Sequence, residues 1–156
     1  RDRSSLDFAI ARCIQAKANV VSRDVRESGL REILNFGHTF AHAFETATNY
    51  RTYLHGEAVG WGMIAAARLA VGAGLLAASQ AARIEALVRR VGALPAVPAQ
   101  KPERLIAIMG SDKKTRGGKL RFVLPDRIGH VETVSDIPVN LVRSVLANLA
   151  AAGGRR

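Results

Sequence analysis

The stretch GLREILNFGHTFAHAFE, residues 29–45, decides the predicted fold because two stripes run through it at helical spacing. The apolar stripe recurs every four residues: Phe36, Phe40 and Phe44. The polar stripe follows at intervals of four, three and four residues: Arg31, Asn35, His38 and His42. On one continuous helix these intervals place each stripe on its own face. We therefore predict a helix from about Leu30 to Thr48, with the phenylalanines in the core. If that helix begins earlier, Glu27 joins its polar face.

Helical periodicity continues on both sides of this stretch. Upstream, apolar residues at helical spacing predict a helix over residues 5–21, capped by Ser5 and carrying Lys17. Downstream, we predict helices over about residues 55–73, 78–91, 105–109 and 139–150. The first of these contains small residues that allow close helix packing: Gly60, Gly62, Ala65 and Ala66.

A change of pattern near the C-terminus predicts strands. Residues 120–124 and 131–134 are rich in strand formers and are separated by residues 125–130, which predicts a β-hairpin. A length of 156 residues suits one domain with a core of its own. The predicted fold class is therefore mainly α, a single helical domain over residues 1–156 with a small β-hairpin.

Composition narrows the class of protein. The single cysteine, Cys13, cannot form an internal disulfide, which excludes a disulfide-stapled secreted scaffold and favours a reducing cytoplasm. The longest apolar stretch, residues 58–73, is interrupted by Arg68, so we predict no membrane span and a soluble protein. The first residues carry neither an initiator methionine nor the apolar core of a signal peptide, so we expect a fragment of a longer protein.

The net charge of +10 is concentrated in the second half of the chain. The first 78 residues carry nine Lys+Arg and seven Asp+Glu, whereas the last 78 carry fourteen and six. The densest basic run, residues 113–121, contains glycine but lacks the interleaved aromatic residues of a single-strand binding surface. Such a run without a nucleic-acid-binding motif is a weak pointer to nucleic acid, and it suits a phosphorylated metabolite equally well.

Three of the four histidines lie within eighteen residues. His38 and His42 form an H-x-x-x-H pair, whose imidazoles can reach one metal or substrate from adjacent helical turns. His55 begins the next predicted helix, and the intervening turn can bring it beside them. A hydrogen-bonded pair at a helix surface is the alternative for the first two, but the neighbouring polar residues favour a metal site. Three other residues are predicted to be structural: His130 at the surface, and Cys13 and Trp61 in packing.

These residues resemble the C-terminal domain of the 3-dehydroquinate synthase family. Four blocks carry the resemblance in the family's order: Lys17, residues 29–45, LHGEAV at residues 54–59, and DKK at residues 112–114 with RFVLP at residues 121–125. Ala41 stands where the family usually has glycine, and Phe44 stands where it usually has a smaller aliphatic residue. Both lie between the polar positions, so these departures concern packing more than chemistry.

The resemblance implies a metal centre. It assigns His38 and His55 as metal ligands and gives the third ligand to a glutamate upstream of residue 1. It assigns His42 to the substrate or its proton transfers instead of the metal. Glu57 is expected to orient His55, because metal-bound histidines usually need such a partner.

The resemblance also implies a substrate site. Three residues match positions that hold the substrate's carboxylate, hydroxyl and phosphate groups: Lys17, Arg31 and Asn35. Further substrate contacts are expected at these positions: Lys113 or Lys114, and Glu27. These residue types suit an anionic substrate, because arginine binds oxyanions in bidentate fashion and lysine supplies a point charge.

The activity implied by the resemblance belongs to the shikimate pathway. The family is a lyase that converts 3-deoxy-arabino-heptulosonate 7-phosphate to 3-dehydroquinate with loss of phosphate, using NAD and a divalent metal, zinc or cobalt. We expect this chain to supply the metal and substrate half and to be inactive alone, since NAD binds mainly to an N-terminal domain absent from it. The expected partners are the phosphorylated substrate and that domain, without nucleic acid or membrane; a homodimer is compatible with this.

Three alternatives stay open from the sequence. Another sugar-phosphate cyclase shares the architecture with a different phosphorylated substrate. An iron-type alcohol dehydrogenase-like domain also has spaced histidines, but it lacks the Arg31/Asn35 block and the DKK block that argue for an anionic substrate. A basic helical nucleic-acid-binding module is the third alternative.

Overall fold

The protein is described by a computed structural model that covers residues 2–26, 29–92, 94–97, 100–111 and 120–153. The chain divides into two compact units, Arg1–Asn35 and Phe36–Arg156. Within the described residues lie six α-helices, one 3₁₀ helix and a two-stranded antiparallel sheet. The predicted class, mainly helical with a small β-hairpin, is confirmed.

The first unit begins with helix α1, Arg3–Arg23. Its N-cap is Asp2, whose carboxylate accepts the backbone N–H of Ser5 at 2.9 Å. The prediction of Ser5 as the cap was therefore wrong, because the carboxylate three residues earlier takes up this otherwise unpaired donor. α1 carries no buried residue, and Cys13 is exposed, so the prediction that Cys13 packs as a small hydrophobe was also wrong.

A buried carboxylate organises the turn that follows α1. Asp24 is 7% exposed and accepts the backbone N–H groups of Gly29 at 3.0 Å and Arg31 at 2.9 Å. These bonds hold the start of a 3₁₀ helix, Leu30–Asn35. A short polar side chain that binds nearby backbone donors is a common way to fix such a connection.

The helix predicted from Leu30 to Thr48 is interrupted. The 3₁₀ helix ends at Asn35, and α2 begins only at His38 and runs to Ala47. Between them, Gly37 has a φ of 82°, a left-handed conformation that a right-handed helix cannot contain and that glycine adopts without strain. The polar stripe therefore does not lie on one helix: Arg31 and Asn35 belong to the first unit, and His38 and His42 belong to α2 in the second.

The second unit contains the remaining elements, in this order: α2, α3 (His55–Gly72), α4 (Ala78–Val91), α5 (Pro102–Ser111), β1 (Arg121–Arg127), β2 (His130–Ser135) and α6 (Val139–Gly153). The predicted bounds of α4 are reproduced, and those of α3 differ by one residue. The short helix predicted over residues 105–109 extends further in both directions.

The core of the second unit forms where α2 and α3 pack together. Phe40 and Phe44 of α2 are each 1% exposed, which confirms the core face predicted for the phenylalanine stripe. Phe36 is partly buried against the same cluster. Three further elements close the core with these buried side chains: Leu105 and Met109 of α5, Phe122 and Leu124 of β1, and Val142, Leu146 and Leu149 of α6.

Glycines allow the backbones of α2 and α3 to come close together. A Cβ added at Gly37 would lie 2.5 Å from the backbone nitrogen of Met63 and 2.8 Å from the carbonyl carbon of Gly62. A Cβ at Gly62 would in turn collide with the carbonyl oxygen of Gly37. The small residues of α3 therefore serve the close packing that was predicted for them.

The hairpin differs from its prediction at the turn. β1 continues through Pro125, which pairs with Val131, and Arg127 pairs with His130 after an irregularity in register. The turn is thus at residues 128–129 and not over residues 125–130. Pro125 is tolerated because β1 lies at the edge of a two-stranded sheet.

Two buried aromatic side chains hold the segment after α4. The Tyr53 hydroxyl donates to the carbonyl of Ala96 at 2.6 Å, and Trp61 Nε1 donates to the carbonyl of Pro95 at 2.8 Å. Trp61 is 3% exposed, which confirms its packing role. None of the described helices is both long enough and apolar enough to cross a membrane.

Candidate functional site

Three imidazoles of the second unit form a cluster, which we call the histidine triangle. His38 is the first residue of α2, His42 lies one turn later, and His55 is the first residue of α3. The ring centroids are 5.5 Å apart for His38 and His55, 6.2 Å for His38 and His42, and 6.4 Å for His42 and His55. The turn between α2 and α3 therefore brings His55 beside the other two.

A buried carboxylate lies behind the histidine triangle. Glu45 of α2 is 5% exposed, and its Oε1 is 3.0 Å from Nδ1 of His55. Its other oxygen, Oε2, is 3.6 Å from Nδ1 of His42. Glu45 is not among the site residues predicted from the sequence, although it stands three residues after His42 and so one helical turn further along the same helix.

Contacts at Nδ1 leave the opposite ring nitrogen available in two of these histidines. His55 has its Nδ1 at the Glu45 carboxylate, and Nδ1 of His38 makes a long contact of 3.4 Å with the carbonyl of Phe36. A partner at Nδ1 fixes the ring and leaves Nε2 as a ligand atom, as in most metal-binding histidines.

The protonation of His38 also suits a ligand role. Burial lowers the pKa of this imidazole, the Phe36 carbonyl opposes the shift, and the neighbouring His55 and His42 lower it further. The neutral form that metal binding needs is thereby favoured. Among the residues that the structure describes, no group of three or more His, Cys, Asp or Glu side chains is arranged to hold a metal ion. The donor chemistry of His38 and His55 fits a borderline transition metal, as part of a larger ligand set.

An open cavity of about 430 Å³ adjoins His42. Hydroxyl groups are prominent in its lining, from Thr39, Thr46, Tyr50 and Ser111. The Thr46 and Tyr50 hydroxyls are hydrogen-bonded to each other at 3.2 Å. The Thr39 and Ser111 hydroxyls donate to the carbonyls of Arg121 and Ile108, so towards a ligand they can act only as acceptors.

Glu57 makes a different contact from the one expected. Its Oε2 accepts the backbone N–H of Leu54 at 2.9 Å and so closes the first turn of α3. The carboxylate that contacts His55 belongs to Glu45. Through this bond the Glu57 side chain caps the helix that His55 begins.

The other predicted site residues are distributed over the chain. Lys17 is exposed on α1, and Arg31 lies in the 3₁₀ helix, where its Nη1 donates to the carbonyl of Val25 at 3.3 Å. Asn35 is the last residue of that 3₁₀ helix. Three predicted residues lie outside the described residues: Glu27, Lys113 and Lys114. His130 lies on the hairpin, exposed and 2.7 Å from Asp126, which agrees with its predicted surface role.

The 3-dehydroquinate synthase C-terminal family model matches residues 1–115 of the chain. The chain belongs to this family. The match covers the 3₁₀ helix and the histidine triangle, so the resemblance predicted from the sequence is confirmed for these parts of the molecule.

Named members of the family align with most of this chain. The 3-dehydroquinate synthase of Gloeobacter violaceus is 48% identical over 95% of this chain and 41% of that protein. The 3-dehydroquinate synthase of Bordetella pertussis is 50% identical over 80% of this chain and 35% of that protein. The chain therefore spans about two fifths of the length of the curated relatives that it matches.

Two solved structures of synthases share this architecture. The 2-epi-5-epi-valiolone synthase ValA from Streptomyces hygroscopicus, with NAD+ and Zn²⁺ bound, superposes with a TM-score of 0.79 at 29% identity over 93% of this chain and 40% of that one. A 2-deoxy-scyllo-inosose synthase complexed with carbaglucose-6-phosphate, NAD+ and Co²⁺ gives a TM-score of 0.81 at 26% identity, over 95% and 42%. The family fold is thus shared by enzymes with different substrates.

Proposed function

We propose that the protein containing this chain is a 3-dehydroquinate synthase, and that the chain supplies its metal and substrate half. The histidine triangle carries this proposal, because two of its imidazoles have Nδ1 engaged and Nε2 available within a family whose named members are 3-dehydroquinate synthases. The reaction eliminates phosphate from 3-deoxy-arabino-heptulosonate 7-phosphate and forms 3-dehydroquinate, which makes the enzyme a carbon–oxygen lyase.

His38 and His55 would hold the metal, zinc or cobalt, together with a glutamate from the segment that precedes this chain. Zn²⁺ and Co²⁺ are present in two solved relatives, alongside NAD+. When bound, the metal supplies Lewis acidity to the substrate hydroxyl that is oxidised. NAD would be held mainly by the N-terminal half.

The remaining predicted residues would bind and orient the substrate. Arg31 offers bidentate hydrogen bonds to a carboxylate or phosphate, and Lys17 offers a point charge. Asn35 would hold a hydroxyl group. Additional contacts are proposed for the residues outside the described part: Lys113 or Lys114, and Glu27. His42 would move a proton during the reaction, since it borders the open cavity and imidazole is the most common general acid–base group in enzymes.

The proposal also concerns the domain organisation and the cellular location of the enzyme. We propose that it acts as one C-terminal domain in contact with an N-terminal NAD-binding domain, that it is inactive alone, and that the enzyme is cytoplasmic. The length ratio to the named relatives supports the first two points, because the matched relatives extend well beyond the aligned part. The single cysteine supports the third.

A second candidate function is another sugar-phosphate cyclase. The superpositions on ValA and on 2-deoxy-scyllo-inosose synthase favour it, because the fold alone does not separate these enzymes. The higher sequence identity to the named 3-dehydroquinate synthases, 48% against 29% and 26%, favours the first candidate.

Phosphate release tests both candidates. The chain, joined to its natural upstream half, is supplied with NAD and zinc and assayed on 3-deoxy-arabino-heptulosonate 7-phosphate and on glucose 6-phosphate, whose carba analogue is bound in the solved 2-deoxy-scyllo-inosose synthase. We expect release from the first substrate only, dependent on both NAD and zinc. Turnover of another substrate alone would assign another cyclase, and zinc binding without release from any would point to a dehydrogenase. Absence of both release and zinc binding would contradict a metalloenzyme.

A further inference from the structure

Glu45 is a carboxylate whose position needs a physical explanation. It is 5% exposed, whereas the side chains of His42 and His55 are 53% and 58% exposed. Burial of a carboxylate is unfavourable unless hydrogen bonds or opposite charges compensate for lost water. Within the described part of the chain, the ionic contacts of this carboxylate are with the two imidazoles of the histidine triangle. These two imidazoles therefore compensate for the water that the Glu45 carboxylate loses on burial.

The two oxygens of Glu45 face rings from two different helices. Oε1 lies 3.0 Å from Nδ1 of His55, the first residue of α3, and an ionised carboxylate can only accept a hydrogen bond there. Oε2 faces Nδ1 of His42, on α2 itself, at 3.6 Å, which exceeds a hydrogen-bond distance. One oxygen is thus committed to His55, and the second is close enough to attract His42 when that ring is protonated.

The backbone of Glu45 is held by several hydrogen bonds to its carbonyl oxygen. Its carbonyl oxygen accepts from the Thr48 amide at 3.2 Å, the Thr48 hydroxyl at 3.2 Å and the Tyr50 amide at 2.8 Å. These bonds close the C-terminal end of α2. A carboxylate on so constrained a backbone can fix the orientation of the ring that it binds.

We propose that Glu45 is a positioning residue: it holds His55 in the tautomer with hydrogen on Nδ1 and thereby leaves Nε2 of His55 as the metal ligand. The metal part of this proposal rests on the proposed function, whereas the tautomer part rests on the contacts alone. A carboxylate behind a coordinating imidazole fixes the ring and increases its basicity. The contact that the structure shows for the Glu57 carboxylate is with the backbone N–H of Leu54, at 2.9 Å.

Zinc affinity is the first test, measured on the chain joined to its upstream half by competition with a chromophoric chelator. We expect Glu45→Ala to weaken zinc binding by about 10–100-fold, as loss of such a partner usually does. Glu45→Gln should weaken it less, because an amide oxygen can still accept the Nδ1 hydrogen. Glu85→Gln is the matched control: it removes another largely buried carboxylate, which is bound to Arg68 and Arg89 away from the histidines. Its zinc affinity should equal that of the parent.

Equal zinc affinity in the parent and in folded Glu45→Ala would overturn the metal part of the proposal. If Glu45→Ala does not fold, the same comparison is made with Glu45→Met, which removes both carboxylate oxygens and keeps an unbranched side chain of similar length. Equal affinity in that variant, together with an unchanged His55 tautomer, would again contradict the positioning role.

The tautomer of His55 is the second test, and it needs no metal. Nitrogen-15 NMR of histidine-labelled, metal-free protein distinguishes hydrogen on Nδ1 from hydrogen on Nε2. We expect Nδ1–H for His55 in the parent and in Glu85→Gln, and a loss of this preference in Glu45→Ala. Hydrogen on Nε2 in the parent would overturn the proposal. If the parent bound no zinc, the proposed function would fail, and the tautomer would still decide the role of Glu45.

Discussion

The backbone of Gly37 lies directly against the backbone of Gly62, with no side chain between them. Gly37 immediately precedes His38, and Gly62 lies two turns along α3 from His55. This contact sets the separation of α2 and α3 beneath the histidine triangle. The geometry of the candidate site therefore depends on two residues that carry no functional group.

A methyl group on Gly62 should separate these helices. We expect Gly62→Ala to lower the free energy of unfolding by about 1–3 kcal/mol through overpacking, despite the better helix propensity of alanine. Gly72→Ala, on the same helix, is the control, because its Cβ would meet only Leu141 at 3.9 Å; it should be neutral or slightly stabilising. Urea denaturation measures both. An unchanged urea midpoint for Gly62→Ala would contradict this expectation, because it would mean that α2 and α3 can move apart without loss of free energy of unfolding.

The histidines should separate into ligands and a proton carrier. In the chain joined to its upstream half, His38→Ala or His55→Ala is expected to abolish tight zinc binding. His42→Ala should retain zinc and slow phosphate release by about 10²–10⁴-fold, as for a lost general acid–base group. His130→Ala, which removes an exposed ring on the hairpin, should match the parent in both. Retention of zinc by the first two variants would refute the ligand assignment.

Tyr53 should make stability sensitive to alkaline pH. Burial, with a smaller effect of the Glu57 charge, raises the pKa of Tyr53 from 10.0 to about 12. The unfolded chain therefore loses this proton first, and the contribution of Tyr53 is complete below pH 10 and lost as the pH rises towards 12. We expect denaturation experiments to show a smaller loss for Tyr53→Phe than for the parent across this range. At neutral pH the lost bond to Ala96 should cost about 1 kcal/mol.

Tyr50→Phe is the control for this effect, because Tyr50 is the other tyrosine of the chain and is 64% exposed. Its stability should follow the parent at every pH. Parallel curves for the parent and Tyr53→Phe would contradict the assignment to Tyr53.

Glu85 should stabilise the packing of α3 on α4 at neutral pH. Burial raises the pKa of this carboxyl, but hydrogen bonds and charges from Arg68 and Arg89 outweigh burial, so its pKa lies below the usual value of 4.5. The contribution is therefore present above pH 4.5 and is lost as the pH falls. We expect Glu85→Gln to lose about 2 kcal/mol at neutral pH, the size of hydrogen bonds to charged groups.

The difference between the parent and Glu85→Gln should shrink in acid, which thermal denaturation across pH can follow. Glu132→Gln serves as the control, since Glu132 is exposed on β2. A difference that stayed constant down to acid pH would mean that the charge of Glu85 is not the source of its contribution.

Helix bounds were predicted correctly from the sequence where neighbouring residues alone determine them. α4 begins and ends as predicted because its apolar spacing and Gly92 are readable along one segment. The continuous helix over residues 30–48 was wrong because its break at Gly37 depends on close contact with α3, which local periodicity does not contain.

The candidate site shows the same division. The sequence drew attention to His38, His42 and His55, whose three rings the structure brings together. It drew attention to Glu57 instead of Glu45, because Glu57 adjoins His55 in sequence whereas Glu45 meets His55 only after the chain has turned from α2 into α3. A contact between residues ten positions apart has no signature in helical spacing.

His38 and His55 each occupy the first position of a helix, and neither residue before them provides a side-chain cap. Helix ends open locally at a small fraction of the free energy of global unfolding. The amides in the first turns of α2 and α3 can therefore exchange through local opening while the rest of the molecule stays folded. A bound ion that bridges the two helix starts would suppress this fraying, so amide hydrogen exchange in the first turns of α2 and α3 would report occupancy of the site, while the middle of α3 would exchange at an unchanged rate.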